Sequence, residues 1–435
     1  MAVQISSKLN RKVAPPVKDA KEFELELPPY VRYTLTNGVE VYAIDLGKVD
    51  AMMVSWIFDA GNSYEPGNGV AAAVNTLLKN GTRTRKAFDI SEYFDYYGAY
   101  LNRAAHHETA ELTLHCLNQY FGELVPVIAE LVTESVYPEE ELAIYKKNAQ
   151  QRLQVNLKKS DFVAGRLIDS YLFGEEHPYG RFSKPEDFER LNREVLMDFY
   201  RRHYQNGTCR IIAAGKLPAD LIPLLEKYFG ALPLRKPATG APAPQFPIQP
   251  AMQKKYRVSN DPDGVQGSIR IARNFPNRHH PDFQRVQVLN NVFGGFFGSR
   301  LMANIREDKG YTYGIYSYLV NNRQESALMI STEAGKEVCE ATIAEVYKEM
   351  KLLREEPIEE EELQMARNFA IGTVLGDLDG PFHVASRWKS ILLNGLDENY
   401  FREGIRIVKT ITPEELRELA VKWLDPAEFF ELVVV

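Results

Sequence analysis

The chain has 435 residues and a formal net charge of −7, so it lacks the basic excess that nucleic acid or an anionic membrane would select. That length suffices for two or three domains with cores of their own, and no apolar run approaches the roughly 18 residues of a membrane-spanning helix. Cys116, Cys209 and Cys339 are widely spaced without a Cys-x-x-Cys pair, which reads as three buried thiols in a reducing cytoplasm.

Residues 1–29 read as an N-terminal extension whose first twenty positions lack the apolar core of a secretory signal. Val31 to Leu35 and Val39 to Ala43 flank Asn37-Gly38, a hairpin turn signal, and Met52 to Asp59 reads as a further strand. Gly69 to Lys79 reads as a helix stopped by Asn80-Gly81. Asp89 with Glu92 reads as a capping box for the next helix, and Glu139-Glu140-Glu141-Leu142 opens another. Leu191 to Leu196 begins a helix that leads into a β-rich segment, Thr208 to Ala214. Pro233, Pro237, Pro242, Pro244, Pro247 and Pro250, with Gly240, mark residues 233–250 as a linker between domains 30–232 and 251–435. Beyond it, strands at Val265 to Arg273, Tyr313 to Val320 and Ala327 to Glu333 alternate with helices near 282–292, 299–308, 337–354 and 359–375. Glu360-Glu361-Glu362-Leu363 repeats the earlier acidic helix start, and Ile411 to Leu416, leading into Glu428 to Val435, repeats Leu191 to Leu196 at nearly the same spacing. The pattern predicts an α+β fold of two duplicated domains.

Residues 69–82 read Gly-Val-Ala-Ala-Ala-Val-Asn-Thr-Leu-Leu-Lys-Asn-Gly-Thr. Gly69, Gly81 and Thr82 keep the frame of an inverted zinc-peptidase helix, His-x-x-Glu-His, in which two histidines one turn apart bind zinc and the glutamate activates water. The histidine positions hold Ala72 and Thr76, and the glutamate position holds Asn75. On this frame the chain resembles the pitrilysin and insulinase group of zinc peptidases, specifically its short, two-domain, paired-subunit members. The resemblance implies a third ligand, a glutamate, near Arg152, with Glu141 and Asp161 the nearest carboxylates, and a later turn matching His177-Pro178-Tyr179-Gly180-Arg181. Alanine offers no donor, threonine a poor one and arginine a fixed positive charge, so the chain itself should hold no zinc.

A second signature of the group, Ser-x-Leu, a short helix, Arg-Glu, two residues and Gly-x-x-Tyr, matches residues 298–314 and selects Arg306 and Tyr313, with Gly310 ending the helix. Without that motif Arg306 reads as a solvated helix residue and Tyr313 as an inward-facing strand residue. The resemblance implies two domains, each a mixed sheet backed by helices, forming half of a clamshell chamber. It further implies a non-catalytic subunit that lends Arg306 and Tyr313 to a zinc-bearing homologue cleaving peptides, or else an assembly protein that kept the fold without proteolysis. Gly294-Gly295 and Gly298 lack the Gly-Lys-Ser or Gly-x-Gly-x-x-Gly context of a phosphate loop and read as a flexible turn. His106-His107-Glu108 and Glu176-His177 are poor metal candidates, since adjacent strand residues point to opposite faces. Tyr100 to Glu108 resembles the strand on which active members of the group pair substrate.

Overall fold

The computed structural model describes residues 18–236 and 244–435. Pro237, Gly240 and Pro242 of the expected linker, and most of the N-terminal extension, lie outside them. The first half contributes strands β1 (Val31–Thr34), β2 (Glu40–Asp45), β3 (Ala51–Phe58), β4 (Tyr100–Ala105), β5 (Ala110–Leu117) and β6 (Cys209–Gly215). Its helices are α1 (Val70–Leu77), α2 (Ala87–Tyr96), α3 (Phe121–Glu134), α4 (Glu139–Asn156), α5 (Ser160–Phe173), α6 (Pro185–Arg190), α7 (Arg193–Tyr200) and α8 (Leu221–Phe229). The second half contributes β7 (Lys255–Val258), β8 (Gln266–Phe275), β9 (Thr312–Asn321), β10 (Ser326–Gly335) and β11 (Phe430–Val434). Its helices are α9 (Phe283–Asn290), α10 (Cys339–Glu355), α11 (Glu360–Asp377), α12 (Pro381–Leu393), α13 (Glu398–Thr410) and α14 (Pro413–Trp423).

The strands form two mixed sheets, ordered β1-β2-β6-β3-β5-β4 and β7-β11-β8-β10-β9. Without the hairpin strand β1, the two orders correspond strand for strand. In each sheet the chain's later strand pairs parallel to the first, β2 with β6 and β7 with β11, and the remaining pairs are antiparallel. This is the duplication expected from the repeated helix starts. The inner strands β6 and β11 are buried almost throughout, which suits their largely apolar sequences, interrupted by Arg210 and Glu431.

One face of each sheet packs on helices of its own half: Trp56, Phe58 and Ile211 lie in one core, Ile271, Ile315 and Ile330 in the other. The opposite faces are covered by exchange. Helix α5, from the first half, lays Ile168, Leu172 and Phe173 on Phe430, Leu432 and Met329 of the second sheet. Helix α12 reciprocates, setting Val384, Trp388 and Ile391 against Ile44, Ile57 and Ile212 of the first. Each sheet therefore completes its burial with a helix from the other half.

Several local expectations needed correction. The helix at Ala87–Tyr96 has Lys86 as its N-cap, and Asp89 sits at the third position, accepting the Lys86 amide at 2.9 Å, so Glu92 takes no part in the box. His106 and His107 follow β4 in the turn to β5, where the His106 amide donates to the Thr109 carbonyl at 2.8 Å. They are thus turn residues, and the strand-alternation argument does not apply to them. The helix expected at 299–308 is present, though in π form over Met302–Asp308, and a second π-helical stretch, Asn291–Gly295, extends α9. Gly294 is no flexible turn either: a Cβ there would stand 2.9 Å from the Ser317 amide nitrogen, so glycine is required for close approach to β9.

Candidate functional site

Helix α1 opens at Gly69, whose left-handed conformation (φ 86) suits glycine alone. Ala72 and Thr76 fall one turn apart on the exposed face, in the disposition that two ligands to one ion would need. Asn75 points the other way. It is 2% exposed, and its Nδ2 donates to the Glu111 carbonyl at 3.3 Å and to the Tyr204 hydroxyl at 3.1 Å. The place of the general base is thus occupied by an amide that stitches α1 to β5 and to the π-turn after α7. Replacing Asn75 with alanine leaves a buried hydroxyl without that donor and should cost about 1–3 kcal/mol in urea unfolding. A loss within experimental error would show the amide to be dispensable.

A guanidinium stands beside this face. Arg103, on β4, donates through Nη1 to the carbonyl of Thr76, one of the last-turn carbonyls that a helix leaves unpaired. Burial pushes the Arg103 pKa down, and its Nε is buried without a partner. Lys79 is held below its usual range by burial and then by Arg103. Of the carboxylates near the expected third position, Glu141 is spent on the Asn80 side chain at 2.7 Å, and the Asp161 carbonyl, rather than its carboxylate, meets Arg270. Arg152 lies exposed on α4, which packs on α1. Two non-ligands, an inward amide and adjacent cations do not fit a zinc ion. Among the described residues, no group of three or more His, Cys, Asp or Glu is arranged to hold a metal.

What holds α1 in place comes from the His177 to Arg181 turn. Glu65 accepts the Ala71 amide at 2.9 Å, and Arg181 reaches Glu65 at 3.2 Å and also donates to the Asn62 carbonyl. Burial pushes the Glu65 carboxyl up to about 7, outweighing the Ala71 amide and Arg181, which act in the other direction. His177 is 3% exposed, its Nδ1 accepting the Tyr179 amide at 3.1 Å. His107 bonds to Asn62 at 3.2 Å and Glu108 to the Tyr179 hydroxyl, so these residues form the wall of the same turn.

The second constellation lies on the C-terminal sheet. Met302 and Ile305 anchor the π-turn inward, and Asn304 bonds Glu345 at 2.9 Å and Glu349 at 2.7 Å on α10. Arg306 is left facing out, paired with Glu307, its guanidinium 4.6 Å from the Phe297 ring centre and 5.7 Å from that of Tyr313. Gly310, at φ 65, turns the chain into β9, the edge strand of its sheet. Ile315, Ser317 and Leu319 face inward, so simple alternation would bury Tyr313 as well. A bulge prevents this. Thr312 pairs with Ala334 and Ile315 with Thr332, so Tyr313 and Gly314 together oppose the single residue Glu333. The Thr312 hydroxyl, donating to the Glu333 carbonyl at 2.6 Å, holds the extra residue, and Tyr313 emerges 93% exposed.

Residues 45–178 match the model of the insulinase (M16) peptidase family, and residues 190–369 match that of the M16 inactive domain. The chain belongs to the M16 peptidase family. Among M16 relatives, the uncharacterized zinc protease YmxG of Bacillus subtilis is 24% identical over 359 residues, covering 82% of this chain and 86% of YmxG. Core protein I of the mitochondrial ubiquinol-cytochrome-c reductase complex of Euglena gracilis is 24% identical over 273 residues, covering 62% of this chain and 54% of that protein. A solved Pseudomonas fluorescens structure described as an M16 inactive domain aligns with a TM-score of 0.83 at 22% identity, covering 93% of this chain and 98% of that one. At such identity the likeness shows the fold. Sequence reasoning gave no notice of Arg103 or Glu65.

Proposed function

We propose that this chain is the non-catalytic, substrate-binding subunit of a heteromeric zinc endopeptidase, with Arg306 and Tyr313 completing the site of a zinc-bearing homologous subunit. The observation that carries this reading is the bulge in β9, which spends a ladder position to turn Tyr313 outward beside Arg306. Guanidinium and phenol are both hydrogen-bond donors, suited to peptide carbonyl oxygens and to negative charge developing on one of them during cleavage. The edge of β9, with Tyr316 and Tyr318 also exposed, offers unpaired backbone groups and aromatic surface to an extended peptide or a second subunit. The zinc would belong to the partner, since α1 of this chain offers no ligands. Three buried, unpaired thiols suit a reducing cytoplasm, and no described helix is long and apolar enough to cross a membrane.

The similarity to a respiratory-complex core protein favours a second reading, in which the fold serves assembly without proteolysis. The two readings share an expected interface and differ in the use of Arg306. Co-expression with a zinc-bearing homologue, followed by size-exclusion chromatography with light scattering, should yield a stoichiometric complex. A chain that stays monomeric beside every such homologue in its cell would overturn both.

A further inference from the structure

A cleft of about 370 Å³ opens in the C-terminal half between α9, β9, α11, α12 and α13, at the small end of ligand-binding cavities. Neither α1 nor Arg306 lines it. Arg278 and Arg387 do, and no aspartate or glutamate is among the described residues that line it, although the chain is acidic overall. Arg278 donates through Nη1 to the Ser390 hydroxyl at 2.7 Å, while its Nε is buried without a partner. Arg387 is paired with Asp377, which stands outside the lining. The two guanidiniums lie near enough for Arg387 to press the Arg278 pKa down further after burial has lowered it. One positive charge is therefore left uncompensated in a half-buried place.

The cleft has two further chemical features. Asn290, 9% exposed, donates its Nδ2 to the Ser317 carbonyl at 3.0 Å, and its Oδ1 is buried with no donor. Phe369, Val374, Ile391, Phe401 and Ile405 give the wall an apolar part, beside the polar Gln284, Gln287, Asn291 and Thr373. An unpaired cation beside a hydrocarbon surface is the complement of a small amphiphilic anion.

We propose that this cleft binds an apolar carboxylate, with the carboxylate on Arg278 and the apolar group against Phe369, Ile391 and Ile405. Two sources share that chemistry: the free C-terminus of a short peptide ending in an apolar residue, and a medium-chain fatty acid. The inference is independent of the Arg306 reading, and it is tested on the chain alone, without a partner subunit.

Calorimetry on the full chain with N-acetyl-Ala-Ala-Leu, its C-terminal amide and decanoate distinguishes the cases. The free acid should bind, and the amide should bind at least tenfold more weakly. Arg278→Gln should erase the difference between acid and amide. Thr373 is exposed on the cleft, and Thr373→Trp should block binding with an unchanged thermal melt, a control that remains if Arg278→Gln folds poorly. Decanoate binding that Arg278→Gln removes, with no peptide binding, would support the site and assign it to fatty acids. Equal binding of acid and amide, or no binding of either carboxylate at millimolar concentration, would overturn the proposal.

Discussion

Arg306→Ala should lower peptide turnover by the reconstituted two-subunit enzyme about 10²-fold, the scale for losing one donor to a developing oxyanion. The side chain contributes little to the stability of its own domain. Among the described residues its one ion pair is with its sequence neighbour Glu307, and its ring contacts, Phe297 and Tyr313, are themselves 60% and 93% exposed. The thermal melt, subunit association and zinc content of the partner should therefore stay close to those of the parent, while kcat falls. Tyr313→Phe should cost less, because the ring that flanks Arg306 remains. Peptide cleavage by the variant complexes, read beside their melts, decides the matter. Full activity in the Arg306→Ala complex would remove the catalytic contribution and leave the assembly reading.

The largest stability effect is expected at the helix exchange. Trp388 of α12 is 4% exposed, packs edge-on against Tyr30 at 4.6 Å and donates its Nε1 to the Pro28 carbonyl at 2.7 Å. Truncation to alanine opens a cavity between the second half of the chain and the outer face of the first sheet. Large-to-small changes of this kind cost about 3–5 kcal/mol. Because α5 and α12 couple the halves, the loss should appear in one cooperative denaturant transition that reports on both sheets. Trp388→Phe, which keeps most of the apolar volume, should recover a large part of it. If Trp388→Ala unfolds within about 1 kcal/mol of the parent, the exchanged helix does not hold the halves together.

Much of the architecture was legible because it follows from short-range rules. The hairpin at Asn37-Gly38, the alternating strands and the repeated acidic helix starts all use periodicity and turn chemistry that neighbouring residues carry. Legibility stopped where a decision belonged to a distant contact. One short-range detail was also misread: Asp89 accepts the amide of Lys86, three residues upstream, so it belongs to the cap that Lys86 begins and does not start a box with Glu92. Helices α5 and α12 each show an apolar face, and amphipathicity says that such a face is buried without saying beneath which sheet.

For the site, residue identity by itself determined that Ala72, Thr76 and Arg152 cannot form a zinc centre, since ligand chemistry resides in the side chain and no packing can add it. The motif around Arg306 likewise named the residues worth testing. Tertiary structure decided which way they face. Asn75 turns inward because Glu111 and Tyr204 offer it partners across the core, and Arg103 settles on Thr76 because a strand edge passes the unpaired end of α1. Tyr313 is exposed because one extra residue in β9 is set against Glu333 of β10. A side chain's direction on a strand depends on pairing register, and register is a property of two strands, absent from the sequence of either one.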